Sequence, residues 1–288
     1  MVEISFIIVT YNSHLLISDC LSSIYNNADL PESNFEIIIV DNSNSEGHQK
    51  LIETLVEFKK NNLRVIHNSA NNGYGAGNNL GIQHANGKII AIINPDVRLL
   101  APIMQKTIGF FQKQQQAGIL SYKQLGGHDL TFYSRPEHKI SLFDGINTKF
   151  RNKNNKFNNA KDFLSGAFFF ADKNKFLEIG LFDEQIFMYN EESDIAKRFL
   201  SKGYSLNFDH SEKYLHLIEQ RPFSEKAFKE ELISLQYYIQ KYNLNEESII
   251  KKYINELKIK KRIAQILNRE ADKTRFAKMI SLITSVFK

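Results

Sequence analysis

Hydrophobic and polar positions in the first third of the chain follow two alternating patterns. Apolar runs, which are typical of buried parallel strands, fall at residues 5–10, 36–41 and 88–94, and residues 63–67 predict a further short strand. Between these runs, apolar residues recur at helical spacing in segments 15–25, 46–60 and 73–85. This order of βα units predicts an α/β fold with a mostly parallel central sheet flanked by helices.

The pattern is less regular further along the chain. Apolar periodicity weakens over residues 118–159, and the polar stretch 151–159 predicts a mobile loop. A strand at 163–171 and short helices at 174–179 and 191–201 are predicted next, and the chain from residue 224 onward has a helical pattern. The βα units of the first half therefore define the fold class.

Three of the predicted strands end in polar segments, Thr10-Tyr11-Asn12, Asp41-Asn42-Ser43 and Asn94-Pro95-Asp96. Because the carboxyl ends of parallel strands share one edge of a sheet, these segments predict a single polar crevice, where open α/β sheets bind ligands. Pro95 has no N–H to donate, so strand pairing should stop there and leave Asp96 at the crevice, where its carboxylate suits a hard cation. Each segment taken alone is better explained as a turn or a helix cap, whereas the three together favour a binding site.

A glycine-rich segment, residues 71–79, leads from the third strand into a helix. Its glycines at 73, 75 and 77 allow backbone N–H groups to approach a ligand, and a helix N-terminus favours anions. The spacing differs from the dinucleotide-binding fingerprint, and the Gly-Lys-Ser/Thr triplet of a Walker loop does not occur. Taken alone, a helix start of this kind does not define a ligand.

Acidic residues open a predicted helix at Glu191, Glu192 and Asp194. Carboxylates at this position are favoured by the helix dipole, which is a structural explanation. Neighbouring carboxylates in different environments also supply a general base, which is a catalytic one. His216, further along the chain, is either a structural histidine or a ligand.

Composition narrows the class of protein. Of the 288 residues, 42% are hydrophobic and 24% are charged, as in globular proteins with a sizeable core. The single cysteine, Cys20, excludes an intrachain disulfide and is expected to be a buried structural thiol. Glu3 and the short first apolar run argue against a secretory signal, and no apolar stretch reaches the length of a membrane-spanning helix, so we expect a cytoplasmic protein.

Positive charge is concentrated towards the C-terminus. Residues 251–288 hold eleven Lys and Arg but three acidic residues, whereas the whole chain has a net charge of +5. A basic tail on a mildly acidic body suggests an anionic partner, either a membrane or a nucleic acid. The body carries no nucleic-acid recognition motif, so we expect no nucleic-acid partner.

The apolar run 276–287 within this tail has two interpretations. It could lie in a membrane interface, which would place the protein peripherally on the inner face of the plasma membrane. Alternatively, it is an amphipathic helix that packs on the domain or on a second subunit of a homodimer.

Segments 6–13, 39–43, 71–81, 93–97, 165–167, 180–184 and 187–192, in this order, resemble those of family 2 glycosyltransferases, and most of all the rhamnosyltransferase-like branch. The resemblance covers about residues 4–220. It implies the GT-A (nucleotide-diphospho-sugar transferase) fold over residues 1–222, with residues 223–288 as a basic C-terminal helical extension. It also implies an inverting enzyme that moves a sugar from a nucleotide-sugar donor, dTDP-rhamnose or a UDP-hexose, to a glycan or lipid-linked glycan acceptor in cell-surface polysaccharide synthesis.

The resemblance also implies roles for individual residues. Asp41 would bind the pyrimidine base of the donor, and Asp96 would hold Mg²⁺ or Mn²⁺ together with the donor diphosphate. His216 would be a further ligand of that metal. Glu192 matches the family's catalytic Asp, and the adjacent Glu191 is the alternative base. The remaining donor-binding residues would be Thr10, Tyr11, Asn12, Asn72, Gly73, Asn78 and Asn94.

Two departures from the family pattern affect these expectations. Asn94 stands where many relatives carry Asp, so Asp96 alone supplies the charge of the metal-binding motif. Glu192 is longer than the Asp it matches, which leaves the choice of catalytic base between Glu191 and Glu192 open.

A sugar nucleotidyltransferase is an alternative function, although no glycine-rich loop with Lys or Arg follows the first strand. A non-catalytic nucleotide-sugar-binding protein is the other alternative.

Overall fold

The structure is a computed structural model that describes residues 1–139, 144–217 and 223–287. Its strands are β1 (Ile4–Thr10), β2 (Phe35–Asp41), β3 (Leu63–His67), β4 (Ile89–Ile93), β5 (Val97–Leu99), β6 (Ala117–Leu125), β7 (Phe132–Ser134), β8 (Asp162–Leu164), β9 (Phe168–Asp172) and β10 (Ser205–His216). Its helices are α1 (His14–Asn26), α2 (Ser45–Leu55), α3 (Tyr74–Gln83), α4 (Met104–Lys113), α5 (Asp144–Lys153), α6 (Lys173–Glu178), α7 (Glu191–Ser201), α8 (Glu225–Lys241), α9 (Glu246–Ile266) and α10 (Glu270–Val286).

Eight strands form one central sheet in the order β3-β2-β1-β4-β9-β6-β10-β5. Strands β3, β2, β1 and β4 run parallel, and so do β6 and β10. Strand β9 is antiparallel to both of its neighbours, and β5 is antiparallel to β10. Strands β7 and β8 make a separate two-stranded sheet. The predicted α/β architecture with a large central sheet is therefore confirmed.

Helices cover both faces of this sheet, which explains the unbroken apolar runs of the strands. Successive side chains of a strand point to opposite faces, so Phe6 and Ile8 enter one core while Ile7 enters the other. Helices α1, α2 and α4 pack on the first face, and α3, α6 and α7 on the second. Cys20 lies in the first core, as expected, and burial raises the pKa of its thiol to about 12.

Several element boundaries differ from the expectations. Helix α2 ends at Leu55 and not near residue 60, and the predicted strand 163–171 is divided into β8 and β9 by residues 165–167. Strands β5, β6 and β10 had no predicted counterpart. In β10 the alternation of apolar and polar residues is obscured, because its pairing with β6 is irregular between Asp209 and Lys213.

The expected mobile loop at 151–159 is wrong in its first part, because α5 continues to Lys153. Asn152 is buried, and its side-chain oxygen accepts hydrogen bonds from the backbone N–H groups of Thr131 and Phe132, at 2.8 and 3.2 Å. Arg151 forms an ion pair with the buried Asp162. These polar side chains are consequently fixed by tertiary contacts that polarity along the sequence does not reveal.

Helices α8, α9 and α10 enclose a third hydrophobic core. Ser224 caps α8 and Asn245 caps α9 through their side chains. The apolar run of α10 packs into this core through Phe276, Met279, Ile280, Leu282, Ile283, Val286 and Phe287. That arrangement matches the amphipathic-helix interpretation of this run. Within the described part of the chain, no helix combines the length and the apolar character needed to cross a membrane.

Candidate active site

The carboxyl ends of β1 and β2 place two predicted residues in direct contact. Asp41 is buried, and its Oδ1 accepts hydrogen bonds from the Thr10 hydroxyl at 2.9 Å and from the Ser43 hydroxyl at 2.7 Å. Its Oδ2 lies 2.9 Å from Nδ1 of His48 on α2. A carboxylate oxygen has two lone pairs, so Oδ2 retains capacity for one more donor.

Two histidines that the sequence did not single out complete this end of the crevice. The rings of His48 and His67 are stacked, with centroids 3.9 Å apart and an interplanar angle of 4°. His67 ends β3, and its Nε2 lies 2.9 Å from the backbone oxygen of Ser43. Only the packing of α2 over the ends of β2 and β3 brings the two rings together, so no local sequence signal marks them.

Tyr11 and Asn12 line the opening of this part of the crevice. Tyr11 has 59% of its surface exposed, and Asn12, with φ of 52°, is also exposed. The backbone N–H of Asn12 donates to the Ser43 hydroxyl at 2.8 Å, which ties the loop after β1 to the end of β2. Both side chains are therefore accessible to a ligand in solution.

The glycine-rich segment approaches the crevice closely because Gly73 has no side chain. Its φ is 102°, and a Cβ there would lie 2.3 Å from the backbone oxygen of Phe187. Asn72 beside it is exposed, whereas Asn78 is fully buried and donates to the backbone oxygen of Tyr74 at 3.0 Å. The side-chain oxygen of Asn78 has no hydrogen-bond partner among the described residues, so it is an acceptor without a donor.

Tyr74 was part of a recognised segment but was not predicted as a site residue. Its hydroxyl lies 3.1 Å from the side-chain oxygen of Asn94 and 2.9 Å from the backbone oxygen of Gly166. Burial, followed by the negative charges of Glu192 and Glu191, holds the pKa of Tyr74 well above its ordinary value. The neutral hydroxyl is therefore a donor that links the end of β4 to the loop between β8 and β9.

Asp96 lies in the turn after β4, beside the end of β10. Oδ1 of Asp96 is 3.3 Å from Nε2 of His216, and the backbone oxygen of Asp96 accepts from the N–H of Leu217 at 2.9 Å. Arg98 fixes this turn, since its guanidinium donates to the backbone oxygens of Pro95 and Val97 at 2.8 and 2.9 Å. The structure thus brings together the two residues that the resemblance assigned to a metal.

The donor set at this turn fits a divalent cation that a substrate helps to hold. Among the described residues, no cluster of three or more His, Cys, Asp and Glu side chains is arranged to bind a metal. Mg²⁺ is often held in proteins by one or two carboxylates together with substrate phosphates and water. Asp96 and His216, at 3.3 Å, have the spacing of two neighbouring ligands of one ion, which lie about 3 Å apart when each metal–ligand distance is about 2.1 Å.

Glu191 and Glu192 begin α7, after two residues in the left-handed region, Tyr189 and Asn190, with φ of 69° and 68°. Glu191 is buried, and its Oε2 has no hydrogen-bond partner among the described residues. Burial and the neighbouring charge of Glu192 hold the pKa of Glu191 well above its ordinary value. Burial therefore favours the neutral form of Glu191.

The carboxylate of Glu192 lies against Gly166. A Cβ on Gly166 would collide with Oε1 of Glu192, so a side chain there would displace this carboxylate from its present position. Burial raises the pKa of Glu192, while hydrogen bonding from its own backbone and from that of Gly166 opposes the rise. The close contact with Gly166 and the hydrogen bonding from the backbone to Glu192 support Glu192 as the candidate base.

A cavity of about 270 Å³ adjoins the start of α7. It is lined by Asn190 and Ser193 of this region and by the rings of Tyr133 and Phe163, which stack with centroids 5.6 Å apart. The Ser193 hydroxyl is buried and has no partner among the described residues. Burial and the charge of Glu192 raise the pKa of Tyr133 to about 12, which places this cavity within electrostatic reach of the candidate base.

The C-terminal helices support the start of α7 from behind. Asp194, fully buried on α7, accepts from Lys241 of α8 at 2.5 Å and from the Tyr242 hydroxyl at 2.7 Å. The Ser234 hydroxyl of α8 donates to the backbone oxygen of Met188 at 2.7 Å. Helix α8 is consequently packed on the segment that carries Glu191 and Glu192.

The sheet topology and the polar crevice define a GT-A glycosyltransferase fold. A family model for glycosyl transferase family 2 matches residues 5–180, and the chain belongs to that family. It is 25% identical over 263 residues to the low-salt glycan biosynthesis hexosyltransferase Agl10 of Haloferax volcanii, covering 88% of this chain and 79% of that protein. It is 23% identical over 252 residues to the rhamnosyltransferase WbbL of Escherichia coli K12, covering 81% of this chain and 92% of that protein.

Among solved structures, the chain resembles the mannosyltransferase PcManGT from Pyrobaculum calidifontis in complex with GDP-Man and Mn²⁺. The TM-score is 0.65 at 15% identity, with 99% of this chain and 87% of that chain covered. At this identity the likeness concerns the fold.

Proposed function

We propose that this chain is an inverting glycosyltransferase that moves a sugar from a nucleotide-diphosphate donor to a glycan hydroxyl, with Glu192 as the general base. The donor is dTDP-rhamnose or a UDP-hexose, and the product enters cell-surface polysaccharide synthesis. The similar hexosyltransferase and rhamnosyltransferase support the sugar class, and the nucleotide-sugar-bound mannosyltransferase supports the donor type.

One observation carries the proposal: a chain of contacts joins the turn of Asp96 to the carboxylate of Glu192. The Tyr74 hydroxyl lies 3.1 Å from the side-chain oxygen of Asn94, which opens that turn, and 2.9 Å from the backbone oxygen of Gly166, against which Glu192 lies. These residues come from four separate segments of the sequence. A displacement reaction needs such proximity between the group that takes the acceptor proton and the group that holds the leaving diphosphate.

In the proposed reaction, Glu192 takes the proton from an acceptor hydroxyl. The acceptor oxygen forms a bond to the anomeric carbon from the side opposite to the leaving group, while the bond from that carbon to the diphosphate breaks. The electron pair leaves with the nucleotide diphosphate, so the configuration is inverted. Burial raises the pKa of the adjacent Glu191, which favours its neutral form and would limit the negative charge beside the base.

Asp96 and His216 are the residues that would hold Mg²⁺ or Mn²⁺. A bound divalent cation would supply electrostatic stabilisation of the charge that develops on the diphosphate. Asp41 would accept from the base of the nucleotide through the free capacity of Oδ2, with Thr10 and His48 fixing its orientation. The cavity between Ser193 and the stacked rings of Tyr133 and Phe163 would receive the acceptor glycan.

Matched variants of the two glutamates test the base assignment. Loss of a general base typically lowers the rate about a hundredfold or more, so Glu192→Gln should lose most turnover and keep its donor affinity by calorimetry. Glu191→Gln mimics a protonated carboxyl and should retain most turnover. The reverse pattern, with Glu191→Gln inactive and Glu192→Gln active, would transfer the role to Glu191.

A donor screen tests the substrate class. UDP-, dTDP- and GDP-sugars should be compared by thermal shift with and without Mn²⁺, and the preferred donor should raise the melting temperature most in the presence of Mn²⁺. Asp96→Asn should remove the Mn²⁺-dependent part of that shift. If no donor is bound, transferred or hydrolysed across the panel, the enzymatic proposal is wrong.

A further inference from the structure

The solvent-facing side of α9 carries an apolar stripe that no part of the described chain covers. Ile259, Ile263 and Ile266 are 40%, 50% and 70% exposed, and Leu267, directly after the helix, is 54% exposed. Their spacing of four and three residues places them on one side of the helix. The opposite side of α9 is fixed in the third core by Ile250, Leu257 and Ala264.

Unneutralised positive charge flanks this stripe. Lys258 and Arg262 precede two of the isoleucines by one position each, and Lys261 and Arg269 are close by. None of these four cations has a carboxylate within ion-pair distance among residues 1–139, 144–217 and 223–287.

The basic residues of α10 are arranged differently. Lys273, Arg275 and Lys278 all form ion pairs with carboxylates. The basic residues of α10 are therefore neutralised by neighbouring carboxylates, whereas those beside the exposed isoleucines of α9 are not. An apolar strip bordered by free cations is complementary to a surface that is anionic outside and apolar beneath, such as anionic lipid.

The stripe begins one helical turn from a residue that lines the proposed acceptor cavity. Glu256, one turn before Ile259 on a neighbouring side of α9, lines the cavity that also contains Asn190 and Ser193 of the α7 region. A surface that docks along α9 would therefore lie near the proposed acceptor cavity. An acceptor with a lipid tail would reach this cavity from such a surface.

We propose that the stripe of Ile259, Ile263, Ile266 and Leu267, with Lys258 and Arg262, is the docking surface for an anionic lipid membrane. The apolar side chains enter the acyl boundary, and the basic side chains contact the lipid headgroups. The apolar run of α10, which packs into the third core, does not make this contact. The proposal concerns binding alone, so it stands or falls independently of the catalytic assignment.

The test is co-sedimentation of the full chain with vesicles of phosphatidylcholine alone and of phosphatidylcholine with one quarter phosphatidylglycerol. The unaltered protein should pellet with the mixed vesicles, and 0.5 M salt should weaken the binding. The double variant Ile259→Asp/Ile263→Asp should partition at least tenfold less, equivalent to about 1.4 kcal/mol. Lys258→Gln/Arg262→Gln should lose the preference for the mixed vesicles.

The matched control is Val56→Asp/Leu177→Asp, which places the same two charges at apolar residues outside α9 that are 61% and 47% exposed. This variant should bind like the unaltered protein. Circular dichroism melting should show that all variants are folded, as expected for changes at exposed positions.

Equal pelleting of the stripe variant and the unaltered protein would overturn the proposal, and so would an unaltered protein that does not pellet. A stripe variant that instead turns a dimer into a monomer in sedimentation velocity would assign the stripe to a second copy of the chain and equally overturn it.

Discussion

Replacement of Lys241 by Met should show that helix α8 stabilises the helix carrying the candidate base. The Lys241 ammonium lies 2.6 Å from a carboxylate oxygen of Asp183 and 2.5 Å from one of Asp194. Asp194 is fully buried two residues after Glu192. Met retains most of the aliphatic length of Lys, so the variant removes the charge with little change of volume.

The size of the effect follows from the other partners of Asp194. Arg198 donates to its Oδ2 through Nη2 at 2.5 Å, and the Tyr242 hydroxyl donates to its Oδ1 at 2.7 Å. Removing the only partner of a buried charge costs about 3–5 kcal/mol, whereas losing one hydrogen bond to a charged group costs about 1.5–3 kcal/mol. Since two partners remain and Lys241 is partly exposed, we expect a loss of about 2 kcal/mol.

Urea unfolding measures this loss, and Lys260→Met is the matched control. Lys260 pairs with Glu256 four residues earlier on the exposed side of α9, a type of pair worth about 0.3–0.5 kcal/mol. The Lys241 variant should lower the urea midpoint without changing the slope. In a double-mutant cycle with Asp194→Asn, the two changes should be coupled by at least about 0.5 kcal/mol. Equal losses for the two lysine variants, or additive effects in the cycle, would refute the reasoning.

Three further predictions concern backbone space, protonation and buried amide contacts. Gly73→Ala should destabilise the protein by at least about 2 kcal/mol in urea unfolding, because φ is 102° and the new Cβ meets a carbonyl oxygen at 2.3 Å. In contrast, Gly109→Ala, in a helix with nothing within 4 Å of the added Cβ, should stabilise by about 1 kcal/mol, and equal effects of the two changes would contradict the argument. The pKa of Glu191 is raised in the folded state, so its contribution to stability falls as the pH rises from the ordinary pKa towards the raised one. The free energy of unfolding of Glu191→Gln, relative to that of the unaltered protein, should therefore increase between pH 5 and pH 8, by at most about 1.4 kcal/mol per pH unit. A difference that does not change with pH would exclude the raised pKa. Asn152→Ala should cost about 3 kcal/mol by leaving two buried backbone N–H groups without an acceptor, whereas Asn154→Ala at an exposed position should cost less than about 0.5 kcal/mol in the same assay.

The predictable part of the fold has local causes. Strands β1, β2 and β4 have buried, largely apolar residues on both faces, so their pattern is visible within about ten residues of sequence. Strand β10 alternates incompletely and pairs irregularly with β6, and its identity depends on a partner about ninety residues earlier in the chain. A pattern search along the sequence has no access to that pairing.

The candidate site also has a part that the sequence predicts and a part that only tertiary packing creates. Asp41 and Asp96 follow predicted strands, so their place at one edge of the sheet follows from parallel pairing. The contact of Asp96 with His216 was implied by the family resemblance, and the structure gives its distance as 3.3 Å. The stacking of His48 on His67 had no such signal, because it arises when α2 folds back over the ends of two strands.

The sequence by itself determined the class of fold, the polar edge of the sheet and the carboxylates at the start of α7, because these features depend on local periodicity, backbone geometry and helix-start chemistry. Only the tertiary structure decided how the environments of Glu191 and Glu192 differ, since burial and the backbone of Gly166 act on them through space. It also decided that the apolar side chains of α10 are packed inward while those near the end of α9 face solvent. Amphipathic helices of similar composition can bury different faces, because the buried face depends on which other elements pack against the helix. The sequence of the helix itself does not specify those elements.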